Sequence, residues 1–90
     1  MFQNYPFNTN QVSVTNAATL IVAANSSRSG ITLTNTGTTD CYIGENANVT
    51  TSTGHLLPGT KGASVSFAAT GAIYGITGGA SVTVSYLQTF

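Results

Sequence analysis

The amino-acid sequence predicts a single all-β domain, a small antiparallel β-sandwich of about seven or eight strands in an Ig-like or jelly-roll arrangement, with an extended N-terminal arm. Three observations predict it. Apolar residues alternate with Thr and Ser at period two in several short runs and nowhere recur at helical spacing. Gly, Asn and Pro interrupt those runs at intervals of about 8 to 12 residues, the rhythm of short strands joined by turns. Ninety residues suffice for one hydrophobic core and are too few for two.

Residues Met1 to Asn10 stand outside the alternation. Phe2, Tyr5 and Phe7 surround Pro6 with no periodic strand to pack within, so residues 1–10 read as the arm and 11–90 as the domain. The first strand is expected at Gln11-Val12-Ser13-Val14-Thr15. Thr19 to Ala24 follows and is apolar almost throughout, as in a strand covered on both faces, hence central or interfacial. Gly30 to Thr34 puts Ile31 and Leu33 on one face, and Asn35-Thr36-Gly37-Thr38 supplies the turn chemistry of a hairpin into Cys41-Tyr42-Ile43. Gly44 to Gly54 is polar and reads as a long exposed loop with at most a short edge strand at Val49, and Leu56-Leu57-Pro58-Gly59 reads as a corner. Val65 and Phe67 then alternate with Ser64 and Ser66, and Ala72 to Ile76 forms the next strand. Thr77-Gly78-Gly79-Ala80 predicts a second hairpin, into the strictly alternating Val82-Thr83-Val84-Ser85-Tyr86.

Composition narrows the function. Only 4% of residues are charged and the net charge is zero, so there is no basic footprint for a phosphate backbone, and nucleic-acid binding is disfavoured. Surface polarity must come from amides and hydroxyls, with 16 Thr and 9 Ser. A domain this small buries only about 60 to 65% of its unfolded surface, and such domains add disulfides, metals or oligomerisation. A lone Cys41 excludes an internal disulfide, and one Cys with one His makes a poor zinc site, which leaves homo-oligomerisation. The first ten residues carry no charge and no apolar run, and no stretch is apolar enough to span a membrane, so cytoplasmic synthesis and assembly without a membrane partner are expected. Asn25-Ser26-Ser27 and Asn48-Val49-Thr50 fit the glycosylation pattern but arise readily by chance in such a sequence.

Chemistry-bearing residues are few, and no catalytic, cofactor or metal site is expected. Cys41 alternates in phase with Ile43 and reads as a small buried apolar residue. His55 reads as a turn residue, and Asp40 and Glu45 flank one short strand without the placement of a catalytic carboxylate pair. The turn glycines Gly75, Gly78 and Gly79 precede no helix and form no phosphate loop. Arg28 and Lys61 read as solvated or paired with Asp40 and Glu45, and Arg28 is also a candidate for an intersubunit salt bridge. Phe2, Tyr5 and Phe7 are candidate interface anchors, since buried aromatics dominate interface energetics. Tyr42, with the loop from Asn46 to Thr53, is the candidate contact for a glycan.

The run from Val14 to Val22, then Arg28 to Gly37, Cys41-Tyr42-Ile43-Gly44, Leu56-Leu57-Pro58-Gly59, Gly71 to Ile76 and Val82 to Tyr86, resembles the small β-sandwich virion proteins of tailed bacteriophages over about residues 10 to 88. The resemblance implies a capsid decoration or cement protein, often a trimer, with the major capsid protein or another virion protein as partner and the virion as its location. It transfers no catalytic site. The alternative it leaves open is a host-recognition or structural module of a head fibre or tail.

Overall fold

The computed structural model describes residues 6–90. Eight strands run in chain order: β1 (Phe7–Val14), β2 (Thr19–Val22), β3 (Gly30–Asn35), β4 (Cys41–Gly44), β5 (His55–Leu57), β6 (Ser64–Phe67), β7 (Ile73–Thr77) and β8 (Val82–Thr89). They form two four-stranded antiparallel sheets, ordered β1-β8-β3-β6 and β2-β7-β4-β5. Consecutive strands mostly alternate between the sheets, and the first pairs with the last, which is the eight-stranded jelly-roll arrangement. Of the two architectures the sequence left open, the jelly roll is the one adopted.

The alternation places the core where the sequence put it. Ile31 and Leu33 on β3, Val82 and Val84 on β8 and Val14 on β1 face Cys41 and Ile43 on β4, Ile73 on β7, Leu57 on β5 and Ile21 on β2. Val65, Phe67 and Tyr86 close over this cluster at its margins. Burying each such aliphatic side chain is worth about 1.5–3 kcal/mol, and the layer between the sheets is the main source of stability. Gly75 lets β7 lie against that layer, since a Cβ there would stand 2.8 Å from Ile21 Cδ1 and 3.2 Å from Cys41 Sγ.

Several expectations are corrected. Strand β1 begins at Phe7, not Gln11: Phe7 to Asn10 continue the ladder with Thr89 to Tyr86, so four residues assigned to the arm are sheet. Neither predicted hairpin exists. Asn35 to Thr38 carries the chain from one sheet to the other, as does Thr77 to Ala80, because β3 and β8 belong to one sheet and β4 and β7 to its mate. Asn35 makes the first crossing: fully buried, it accepts from Gly37 N–H at 2.9 Å and donates to the carbonyls of Thr39 (2.9 Å) and Leu57 (3.3 Å), tying β3 to β5. The supposed corner at Leu56-Leu57 is strand β5, paired with β4. Val49 lies in no strand but is buried, in the space left by the missing side chains of Gly44 and Gly54, and so pins the long polar loop.

Thr77 is the one buried side chain among the described residues whose hydroxyl has no partner. Thr77→Val keeps the shape and removes an unsatisfied buried polar group, so it is expected to stabilise the domain by about 1 kcal/mol. The midpoint of urea unfolding is the measurement.

Candidate functional site

The outer faces of the two sheets differ in polarity. On the β1-β8-β3-β6 sheet the outward residues are mostly hydroxyls and amides, among them Thr9, Gln11, Thr32, Thr34, Ser64, Ser66 and Ser85, with Thr32 and Ser66 joined hydroxyl to hydroxyl at 2.7 Å; the exposed Phe7 and Leu87 share this face. On the β2-β7-β4-β5 sheet the outward residues are apolar or aromatic. Leu20 sits opposite Tyr74, which faces Gly44; in the adjacent row Ile76 sits opposite Tyr42, which faces Leu56. Leu20 and Leu56 are 45% and 44% exposed, while Tyr42, Tyr74 and Ile76 are half-buried by their neighbours. No charged side chain stands in either row. A cross-strand patch of this kind marks an interaction surface, because isolated surface leucines are ordinary but a contiguous apolar face is not.

Of the residues singled out from the sequence, Tyr42 lies at the centre of this face. Phe7 lies elsewhere, 63% exposed at the start of the edge strand β1. Phe2 and Tyr5 lie outside the described residues. Leu20, Leu56, Tyr74 and Ile76 were missed as a group, although the unbroken apolar run from Leu20 to Ala24 and the pair Leu56-Leu57 carried the signal.

Arg28 is neither solvated nor paired with Asp40 or Glu45. It is 4% exposed, and its guanidinium is held by neutral acceptors: Nε donates to Ala69 C=O (2.7 Å), Nη1 to Ala23 C=O and Gln88 Oε1 (both 3.1 Å), and Nη2 to Gly71 C=O. Gln88 Nε2 passes the network on to Asn8 Oδ1 at 2.7 Å. The planar fork of five donors suits such convergence of carbonyls, and one side chain thereby binds the β2–β3 connection, the β6–β7 connection, β8 and β1. Asp40 also serves the backbone, accepting from Gly59 N–H at 2.7 Å.

Cys41 is fully buried, as the alternation predicted, and burial pushes its thiol up to about 11 against a smaller opposing effect of the Ile76 backbone hydrogen bond. It stays protonated and unreactive at neutral pH. Glu45 and His55 border an open cleft of about 470 Å³ whose walls include Ile43, Val65, Phe67 and Ile73, but no hydrogen bond joins the two among the described residues. Nor do three His, Cys, Asp or Glu side chains come together there or elsewhere among those residues, and no helix among them is long and apolar enough to cross a membrane.

No family model and no curated protein matches the chain. A solved structure from Bacillus, described as endospore appendages that form a novel family of disulfide-linked pili, shares its fold with a TM-score of 0.51, at 19% identity over 97% of this chain and 88% of that one. The pili are described as disulfide-linked, whereas the only cysteine here is enclosed in the core. What the chain has in common with that appendage is the β-sandwich fold.

Proposed function

We propose that this chain is a structural subunit of a protein assembly, specifically a decoration or cement protein of a tailed-phage virion that seats the outer face of its β2-β7-β4-β5 sheet on the assembled shell. The carrying observation is the contrast between the two outer faces. A free monomer would hold Leu20, Tyr42, Leu56, Tyr74 and Ile76 side by side in water on one face, while on the opposite face Phe7 and Leu87 stand among a majority of hydroxyls and amides. Attachment through the apolar side leaves the hydroxyl side as the new exterior. Such a subunit adds buried area between shell proteins and stabilises by mass action whichever state of the shell it binds. The partner is the major capsid protein or another virion protein.

The likeness to an appendage subunit favours a second reading, a module that repeats within a fibre or tail. Purified protein mixed with virus particles stripped of it separates the two. Under the decoration reading it rebinds to the heads and raises their temperature of rupture, and a version lacking Met1 to Tyr5 reports whether Phe2 and Tyr5 add to the hold. Absence of head binding together with self-assembly into filaments would replace the decoration reading with the fibre one.

A further inference from the structure

Sheet edges are templates for pairing with other strands, and proteins blunt them with short length, charge, proline or bulges. Three of the four edges here are blunted: β5 has three residues, β6 has four, and β2 has four with an irregular register between Leu20 and Val22. The fourth is not. Strand β1 has eight residues, and its ladder with β8 runs without interruption from Phe7↔Thr89 to Val14↔Val82. It contains no charge and no proline, and the first charged residue in the chain is the buried Arg28.

The backbone shows which groups are free. Phe90 N–H donates to Pro6 C=O at 3.1 Å, so the even-numbered residues of β1 direct their backbone groups toward β8 and the odd-numbered ones direct theirs away. Gln11 agrees: its N–H is met at 2.8 Å by the Asn10 side chain rather than by β8. Phe7, Thr9, Gln11 and Ser13 therefore direct their N–H and C=O groups along an edge that no strand among the described residues covers, with the Gln11 N–H met only by the Asn10 side chain.

We infer that β1 is a self-pairing edge whose occupant is a second copy of this chain, added antiparallel across a two-fold axis normal to the sheet, so that two four-stranded sheets become one continuous sheet. Antiparallel neighbours keep like faces together, which requires odd residues to meet odd residues. Setting Thr9 opposite Gln11 and Phe7 opposite Ser13 pairs every outward group of both strands, about eight backbone hydrogen bonds, and brings Asn10 opposite its own mate. Thr, Gln, Ser and Asn side chains hydrogen-bond one another across such a junction, and no charge opposes it. Because an edge junction buries less than the standard ~800 Å² per partner, the pairing is reversible and concentration-dependent.

Sedimentation of the full chain over a range of concentrations is expected to show the mass doubling. Asn10→Cys is expected to form a disulfide-linked dimer on mild oxidation, since directly opposed residues in a non-hydrogen-bonded pair lie about 4.5 Å apart at Cα, within disulfide reach. Ser64→Cys on the β6 edge is expected not to. Gln11→Pro removes an outward N–H that within the chain meets only the exposed Asn10 side chain, so it is expected to keep the circular dichroism spectrum and return the protein to monomer; should it fail to fold, the Asn10→Cys cross-link still decides. A monomer at every concentration with no Asn10→Cys cross-link overturns the inference. So does a trimer, or a dimer that survives Gln11→Pro and dissolves in Leu56→Asp.

Discussion

Arg28→Met is expected to remove about 3–5 kcal/mol of stability, because the carbonyls of Ala23, Ala69 and Gly71 and the Gln88 amide lose their donor together, and each buried acceptor left unsatisfied costs about 1–3 kcal/mol. A 90-residue domain has about 5–13 kcal/mol in all. The variant should therefore be largely unfolded on modest warming, with a urea midpoint shifted far to the left. Arg28→Lys separates charge from geometry: a single ammonium with three donors cannot span four acceptors on three segments, so only part of the loss should return. If Arg28→Lys were as stable as the parent, the fork would have no special role and a point charge would suffice. If Arg28→Met were fully stable, the latch would be ornamental and the termini would be held by the β1–β8 ladder alone.

Placing a carboxylate on the apolar sheet face should have the largest effect on assembly. Leu56→Asp and Tyr42→Asp are each expected to weaken attachment to stripped particles by at least about 100-fold, since an unpaired charge desolvated at an interface costs several kcal/mol and ~1.4 kcal/mol is tenfold in affinity. Leu56 faces away from the core and is 44% exposed, so the melting transition of Leu56→Asp should change little, while Tyr42→Asp also gives up cross-strand contacts with Ile76 and Leu56. Thr34→Asp, on the outer face of the other sheet, is the matched control and should bind as the parent does. Reversal of that pattern, with Thr34→Asp impaired and Leu56→Asp unaffected, would move the docking surface to the hydroxyl side.

Fold class was legible because β3, β4, β7 and β8 display their one-sided burial openly: Ile31/Leu33, Cys41/Ile43, Ile73/Gly75 and Val82/Val84 alternate with residues that face outward. Sheet membership was not legible. The turns at Asn35 to Thr38 and Thr77 to Ala80 announce a reversal, and the same residue types serve a hairpin and a crossing between sheets. Strand β5 was hidden for another reason: alternation appears only when the outward face is polar, and Leu56-Leu57 is apolar on both sides. Thr19 to Ala24 read as covered on both faces, hence central or interfacial; its strand, Thr19–Val22, is an edge strand with Leu20 exposed, so it is not the central one. Both segments lack alternation for one reason, the apolar residues on the outer face of their sheet. Arg28 could not be foreseen as buried because most of its partners are backbone carbonyls, which leave no mark on a sequence.

Strand β1 finds its sheet neighbour at the far end of the chain, with Phe7 set against Thr89. A growing polypeptide on the ribosome therefore has a β1 with nowhere to go until β8 has been made, and non-local pairings of this kind close slowly, in milliseconds to seconds. The β1-β8-β3-β6 sheet lacks a central member until that moment, and so does the latch from Arg28 through Gln88 to Asn8. Truncated translation products thus lack both the finished sheet and the edge it would present to a second copy. The last strand completes the sheet and the latch in a single step.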